Sequence, residues 1–63
     1  MPLITVKAIG EKTIEQKRRL VKDITEAIVK NFEVPAEVVT IDIIEYSSEN
    51  MANAGELLKD RGH

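Results

Sequence analysis

Few residues in this 63-residue chain could do chemistry, and the most unusual is Pro2, directly after Met1. Removing Met1 would expose a secondary amine at the chain end. While Met1 stays attached, the Pro2 nitrogen is a tertiary amide with no basic lone pair. An unmodified α-amino group titrates at about 7.7–8.0, and a secondary amine is intrinsically somewhat more basic. Burial or a nearby positive charge lowers an amine's pKa. Such an amine would be neutral near physiological pH and ready to accept a proton. Pro2 is equally the kind of proline that begins a β-strand, and its position alone does not separate the two roles.

Other chemistries have weaker footing. Ser47-Ser48 offers hydroxyls, but the only histidine is His63, the last residue, so a serine nucleophile is poorly supported. Asp42 and Glu45 fall on opposite faces of an extended segment and do not make an acid/base pair. Salt bridges, buried or at an interface, suit them better. With no cysteine and a single terminal histidine, a structural zinc site is not expected. Lys12, by residue type alone, is an exposed loop lysine ahead of a helix.

The elements that must position these residues follow from pattern. Residues 2–9, PLITVKAI, read as a strand with Ile4, Val6 and Ala8 on one face and Leu3, Thr5, Lys7 and Ile9 on the other. Gly10-Glu11-Lys12 breaks it. Thr13 and Gln16 have capping-box spacing, and Glu15 suits the positive end of a helix dipole. The helix should run to about Asn31 or Phe32, with Leu20, Val21, Ile24, Ala27, Ile28 and Phe32 facing a core. Glu15–Arg19 and Glu26–Lys30 have i, i+4 spacing. Lys17-Arg18-Arg19 reads as a solvated helix face rather than a binding patch. Glu33-Val34-Pro35 ends the helix, because Val34 before proline is biased toward extended backbone, and Pro35 opens a short turn through Val38. Residues 39–46, VTIDIIEY, are β-branched and read as a second strand. Residues 47–50 are a loop. In the weakly periodic tail, Gly55 marks a turn, and residues 56–59 fit a short strand or a helical turn.

Strand, helix, strand is one βαβ unit, an α/β (α+β) arrangement with two parallel strands and a right-handed crossover. It forms a single domain over 1–63. Both strands carry apolar residues on both faces, and one helix cannot cover both. A core this small supplies only ~3–5 kcal/mol, and without disulfides or metal the expected remedy is self-association. The net charge of −2 gives no electrostatic reason for nucleic acid. With one Tyr, one Phe and no Trp there is no stacking platform for single strands. No apolar run is long enough for a membrane span, and no signal peptide is visible, so the expected location is the cytoplasm.

Pro2, Gly10, Glu15-Gln16-Lys17, Glu26-Ala27-Ile28, Pro35, Val39, Glu45 and Gly55-Glu56-Leu57 together resemble the 4-oxalocrotonate tautomerase family over nearly the whole chain. The resemblance implies a β-α-β subunit, two of which join sheets into a four-stranded layer, and a hexamer built as a trimer of dimers. It also implies chemistry without a cofactor. The amino-terminal proline acts as general base in enol–keto isomerisation of an unsaturated 2-hydroxy or 2-oxo acid such as 2-hydroxymuconate.

The remaining family positions carry different residues here. The first substrate-holding arginine falls at Lys12, which keeps the charge but loses the bidentate fork. There Lys12 would hold an acid group, stabilise a developing enolate or depress the Pro2 pKa. The second arginine falls at Thr40, which supplies no charge. An apolar aromatic of the site falls at Met51, which keeps apolar bulk for the site wall or for subunit packing. Ala52 and Ala54 replace glycines of that loop. Lys7 or Arg61 would be an alternative source of charge, though both read as solvated. Two functions follow: a cofactor-free tautomerase, or a degenerate oligomeric member of the family that binds or supports without turnover.

Overall fold

A computed structural model describes residues 1–61. The zinc and serine-nucleophile readings that turned on His63 therefore lie outside the described residues. Strand β1 (Leu3–Ile9) is followed by helix α1 (Ile14–Phe32), a 3-10 turn at Ala36–Val38 and strand β2 (Thr40–Tyr46). β1 and β2 are parallel, in register from Leu3↔Thr40 to Ile9↔Tyr46. The expected β-α-β unit is present, each strand starting one residue later than the sequence pattern placed it.

The helix starts where its chemistry says it should. The Gln16 N–H donates to Thr13 Oγ1 at 3.1 Å, and the Thr13 N–H donates to Gln16 Oε1 at 2.9 Å, closing the capping box. Glu33 ends it in a left-handed conformation (φ 56°), its N–H donating to the Val29 carbonyl. The stripe that meets the sheet is Lys17, Val21, Ile24, Thr25, Ile28 and Val29, all half-buried. Ala27 and Phe32 were expected on it and are instead exposed; Leu20 is 38% exposed but lines the hollow between α1 and the sheet. Leu20 and Ala27 lie on its flank, and Phe32 lies at the helix end. Glu15 pairs with Arg18 one residue short of the expected Arg19, and Lys17 of the basic triplet turns inward to Glu45.

The tail adds a hairpin, β3 (Ala52–Asn53) antiparallel to β4 (Glu56–Leu57). Its two-residue turn, Ala54-Gly55, has positive φ at both positions, 52° and 81°. This is the geometry that matches strand twist. Gly55 suits it; Ala54 carries a Cβ into a region that disfavours one. A 3-10 turn at Leu58–Arg61 follows, so residues 56–59 divide between the strand and the helical turn. Arg61 clasps the hairpin, reaching Glu56 at 3.0 Å and the Asn53 carbonyl at 3.1 Å. It is committed there rather than offered as a source of site charge.

Among the described residues, no side chain is fully buried in the single subunit. The accessible surface is 5074 Å², where a folded 7.1 kDa monomer has about 4,100 Å². The radius of gyration is 15.2 Å, against about 11 Å for a compact chain of this length. The α1 face of the sheet is half-covered; the other shows Leu3 (74% exposed), Ile9 (45%) and Ile44 (37%). An isolated subunit with this surface has no proper core.

Candidate active site

The parallel sheet has two chemically distinct ends. At the start of its strands, Pro2 is half-buried, and its carbonyl accepts from the Thr40 N–H at 3.1 Å. That bond extends the β1–β2 ladder by one step and holds the beginning of the chain against β2. Pro2, Met1, Phe32 and Val34 line an open, mostly apolar hollow of about 570 Å³. Met1 occupies the position that blocks the Pro2 nitrogen. Thr40 thus sits beside Pro2.

At the other end, Gly10 donates its N–H to the Tyr46 carbonyl at 2.9 Å and turns away with φ 93°. The Lys12 N–H then donates to Glu45 Oε2 at 2.8 Å. The other carboxylate oxygen, Oε1, accepts from the Lys17 ammonium at 2.6 Å. The Lys17 hydrogen bond, and after it the Lys12 N–H, hold the Glu45 carboxyl below its ordinary value of 4.5. Partial burial opposes this and does not win. Lys12, Gln16 and Lys17 rim a hollow of about 250 Å³ between α1 and the sheet, floored by Val6, Ala8 and Ile43.

Met51 lies toward this same end but on the open face of the sheet. With Lys7, Ala8, Ile9 and Tyr46 it lines a hollow of about 440 Å³. Asp42 and Glu45 do fall on opposite faces. Of the two, Glu45 is in an ion pair, whereas Asp42 accepts from Thr5 Oγ1 at 2.7 Å. Ser47 Oγ accepts from the Glu49 N–H, capping a short turn.

Within one subunit the candidates therefore divide: Pro2 with Thr40 at one end, Lys12 and Met51 toward the other. Lys12 is tied beside Glu45, which is in register with Ala8. Six residues of strand from Pro2 to Ala8 span about 20 Å. Sequence reasoning named Glu45 as a salt-bridging residue and as part of the family pattern, but not as a partner of Lys12. Nothing local in its pattern announces the Lys12 contact, which exists because parallel pairing brings residues 33 positions apart together. Among the described residues, no group of three or more His, Asp or Glu is placed to hold a metal, and no helix is long and apolar enough to cross a membrane.

A β-α-β subunit with proline at the head of its first strand is the architecture of the tautomerases, and a model of the tautomerase enzymes matches residues 2–61. The chain is 38% identical over 60 residues to the 2-hydroxymuconate tautomerase of Bacillus subtilis, covering 95% of this chain and 97% of that protein. A 4-oxalocrotonate tautomerase isozyme from Methylibium petroleiphilum superposes with a TM-score of 0.85 at 37% identity, over 95% of this chain and 94% of that one. The crystal structure of YwhB, a homologue of 4-oxalocrotonate tautomerase, does so with a TM-score of 0.84 at 37% identity, over 94% and 97%. This chain belongs to the 4-oxalocrotonate tautomerase family of the tautomerase superfamily. Tautomerases are isomerases, and the chain is an enzyme of that class.

Proposed function

We propose that the protein catalyses enol–keto proton transfer on an unsaturated 2-hydroxy or 2-oxo acid, without a cofactor and with the Pro2 amine as general base. The observation that carries this reading is the placement of Pro2: half-buried at the head of β1, its carbonyl held by Thr40, its nitrogen blocked only by Met1. Once Met1 is removed, the neutral amine takes a proton from the enol oxygen side of the substrate and returns one to carbon. Lys12 stabilises the negative charge that develops on the substrate oxygen, or holds its carboxylate. Met51 contributes apolar wall, and Thr40 the uncharged edge beside Pro2. A single lysine where the family has two arginines favours a substrate with one carboxylate over a dicarboxylate.

The distance within one chain adds a condition. A small acid spans only a few ångströms, and about 20 Å of strand separates Pro2 from the anchor of Lys12. Each site therefore takes Pro2 from one subunit and Lys12 from another. Assembly is what the uncovered Leu3, Ile9 and Ile44 face and the missing core call for. The reading adopts the family's hexamer, a trimer of dimers. As a small chain with no membrane-crossing helix among its described residues, it would work in the cytoplasm.

The test is ketonisation of a 2-hydroxydienoate, followed by ultraviolet absorbance, on chain shown by intact mass to lack Met1. Wild type should turn over well above buffer, and Pro2→Ala should lose most of that rate. Equal rates for wild type, variant and buffer would sink the proposal and leave a non-catalytic family member.

A further inference from the structure

The loop that carries Lys12 is short, and its backbone is tied at Gly10, Lys12 and Thr13. Gly10, Glu11 and Lys12 must lead from the end of β1 to the Thr13 cap of α1. Gly10 is bonded to the Tyr46 carbonyl, and Thr13 to Gln16 within the capping box. Between them, the Lys12 N–H has a carboxylate oxygen of Glu45 as its partner, 2.8 Å away. Glu45 is itself fixed, because its second oxygen holds the Lys17 ammonium at 2.6 Å and because it lies within the paired part of β2, in register with Ala8. A hydrogen bond from a backbone N–H to an ionised carboxylate is stronger than a neutral one.

This arrangement has two consequences for Lys12. Its backbone direction is set by β2 rather than by its own flexible loop. Glu45 also spends its charge on Lys17, half-buried with it against the sheet, while the Lys12 side chain stays exposed. The Lys12 ammonium lies over Gly10, 3.9 Å from where a Cβ on that residue would stand. A four-carbon side chain on a loose loop would cost conformational entropy each time it met a substrate anion. A tethered backbone removes part of that cost before binding.

We propose that Glu45 is a positioning residue: through the Lys12 backbone N–H it sets the direction in which the Lys12 ammonium is presented to substrate, while neutralising Lys17. The inference rests on the assignment of Lys12 above. Glu45 acts through Lys12, so its contribution disappears once the Lys12 ammonium is gone.

A double-mutant cycle tests it. Steady-state kcat and KM for a 2-hydroxydienoate are measured on Met1-free wild type, Lys12→Ala, Glu45→Ala, Glu45→Gln and the Lys12→Ala/Glu45→Ala pair, each first checked for assembly by sedimentation. Glu45→Ala should lower kcat/KM about tenfold, the scale of one charge-assisted hydrogen bond. Glu45→Gln retains an amide oxygen for the Lys12 N–H and should recover most of that loss. In the Lys12→Ala background, Glu45→Ala should cost less than about twofold. If Glu45→Ala costs the same factor in both backgrounds, its role is general stability and the proposal fails. It fails equally if Lys12→Ala is damaging and Glu45→Ala is not. If Lys12→Ala itself leaves kcat/KM unchanged while Pro2→Ala abolishes it, the assignment of Lys12 is what is overturned, and this inference falls with it.

Discussion

The two ends of the β1–β2 sheet are built from the same kind of strand but hold their residues in opposite ways. At the Pro2 end the ties come from the backbone: a carbonyl of Pro2 meets the N–H of Thr40, and the surroundings are apolar. At the Lys12 end the ties come from charge: a carboxylate on β2 grips a backbone N–H and an ammonium from α1. The difference matches the chemistry proposed for each. A base that must stay neutral belongs where charge is poorly solvated, because burial lowers the pKa of an amine. A cation that must stabilise an anion belongs on a backbone that is tied in place. On the proposed reading, both cannot serve one small substrate from one chain, and the pairing of unlike ends falls to neighbouring subunits.

The largest effect should come at the apolar end. Retention of Met1, or Pro2→Ala in the processed chain, should lower kcat/KM about a thousandfold, within the range for a lost general base. Stopped or steady-state ketonisation assays on mass-verified protein read this directly. Next comes the joining of unlike ends. Pro2→Ala and Lys12→Ala subunits, each nearly inactive, should regain activity when unfolded together and reassembled. Sites that draw Pro2 and Lys12 from different wild-type copies would then reappear. No recovery in mixed oligomers would mean that one chain supplies both groups.

Lys12→Ala alone should cost about a hundredfold in kcat/KM, the scale of one lost oxyanion donor, and Lys12→Arg should restore most of it. The fourth prediction concerns acid. The Glu45 carboxyl titrates lower in the folded chain than in the unfolded one. Its contribution is therefore full above pH 4.5 and is lost as the pH falls through the depressed folded value. Thermal unfolding of wild type between pH 6 and 3 should show this loss, and Glu45→Gln should flatten part of it. The smallest effect lies outside both ends. Ala54→Gly relieves a positive φ of 52° and should raise stability by about 0.5–1 kcal/mol, read as a shift in thermal midpoint.

Much of this was legible before any coordinates. The Thr13–Gln16 box, the pre-proline stop at Val34 and the alternation in LITVKAI are local rules, satisfied by neighbours in the chain. Even Pro2 stood out by its position directly after Met1. The misreadings have two causes. Ala27 and Phe32 are apolar at helical spacing, but which of several apolar rows meets the sheet depends on how α1 is rotated over it. The β3 strand escaped notice because Ala54 does not advertise a left-handed turn.

Residue types and their spacing by themselves determined β1, α1 and β2, their order and the family, and pointed to Pro2 as the candidate base. Those features depend on local backbone preferences and on a family pattern that runs the length of the chain. Only the tertiary structure decided that Pro2 and Lys12 stand at opposite ends of a parallel sheet, and that Glu45 rather than a loop neighbour holds Lys12. Parallel pairing brings residues more than thirty positions apart within hydrogen-bonding reach. It also separates, by the rise of an extended strand, residues only ten positions apart in sequence.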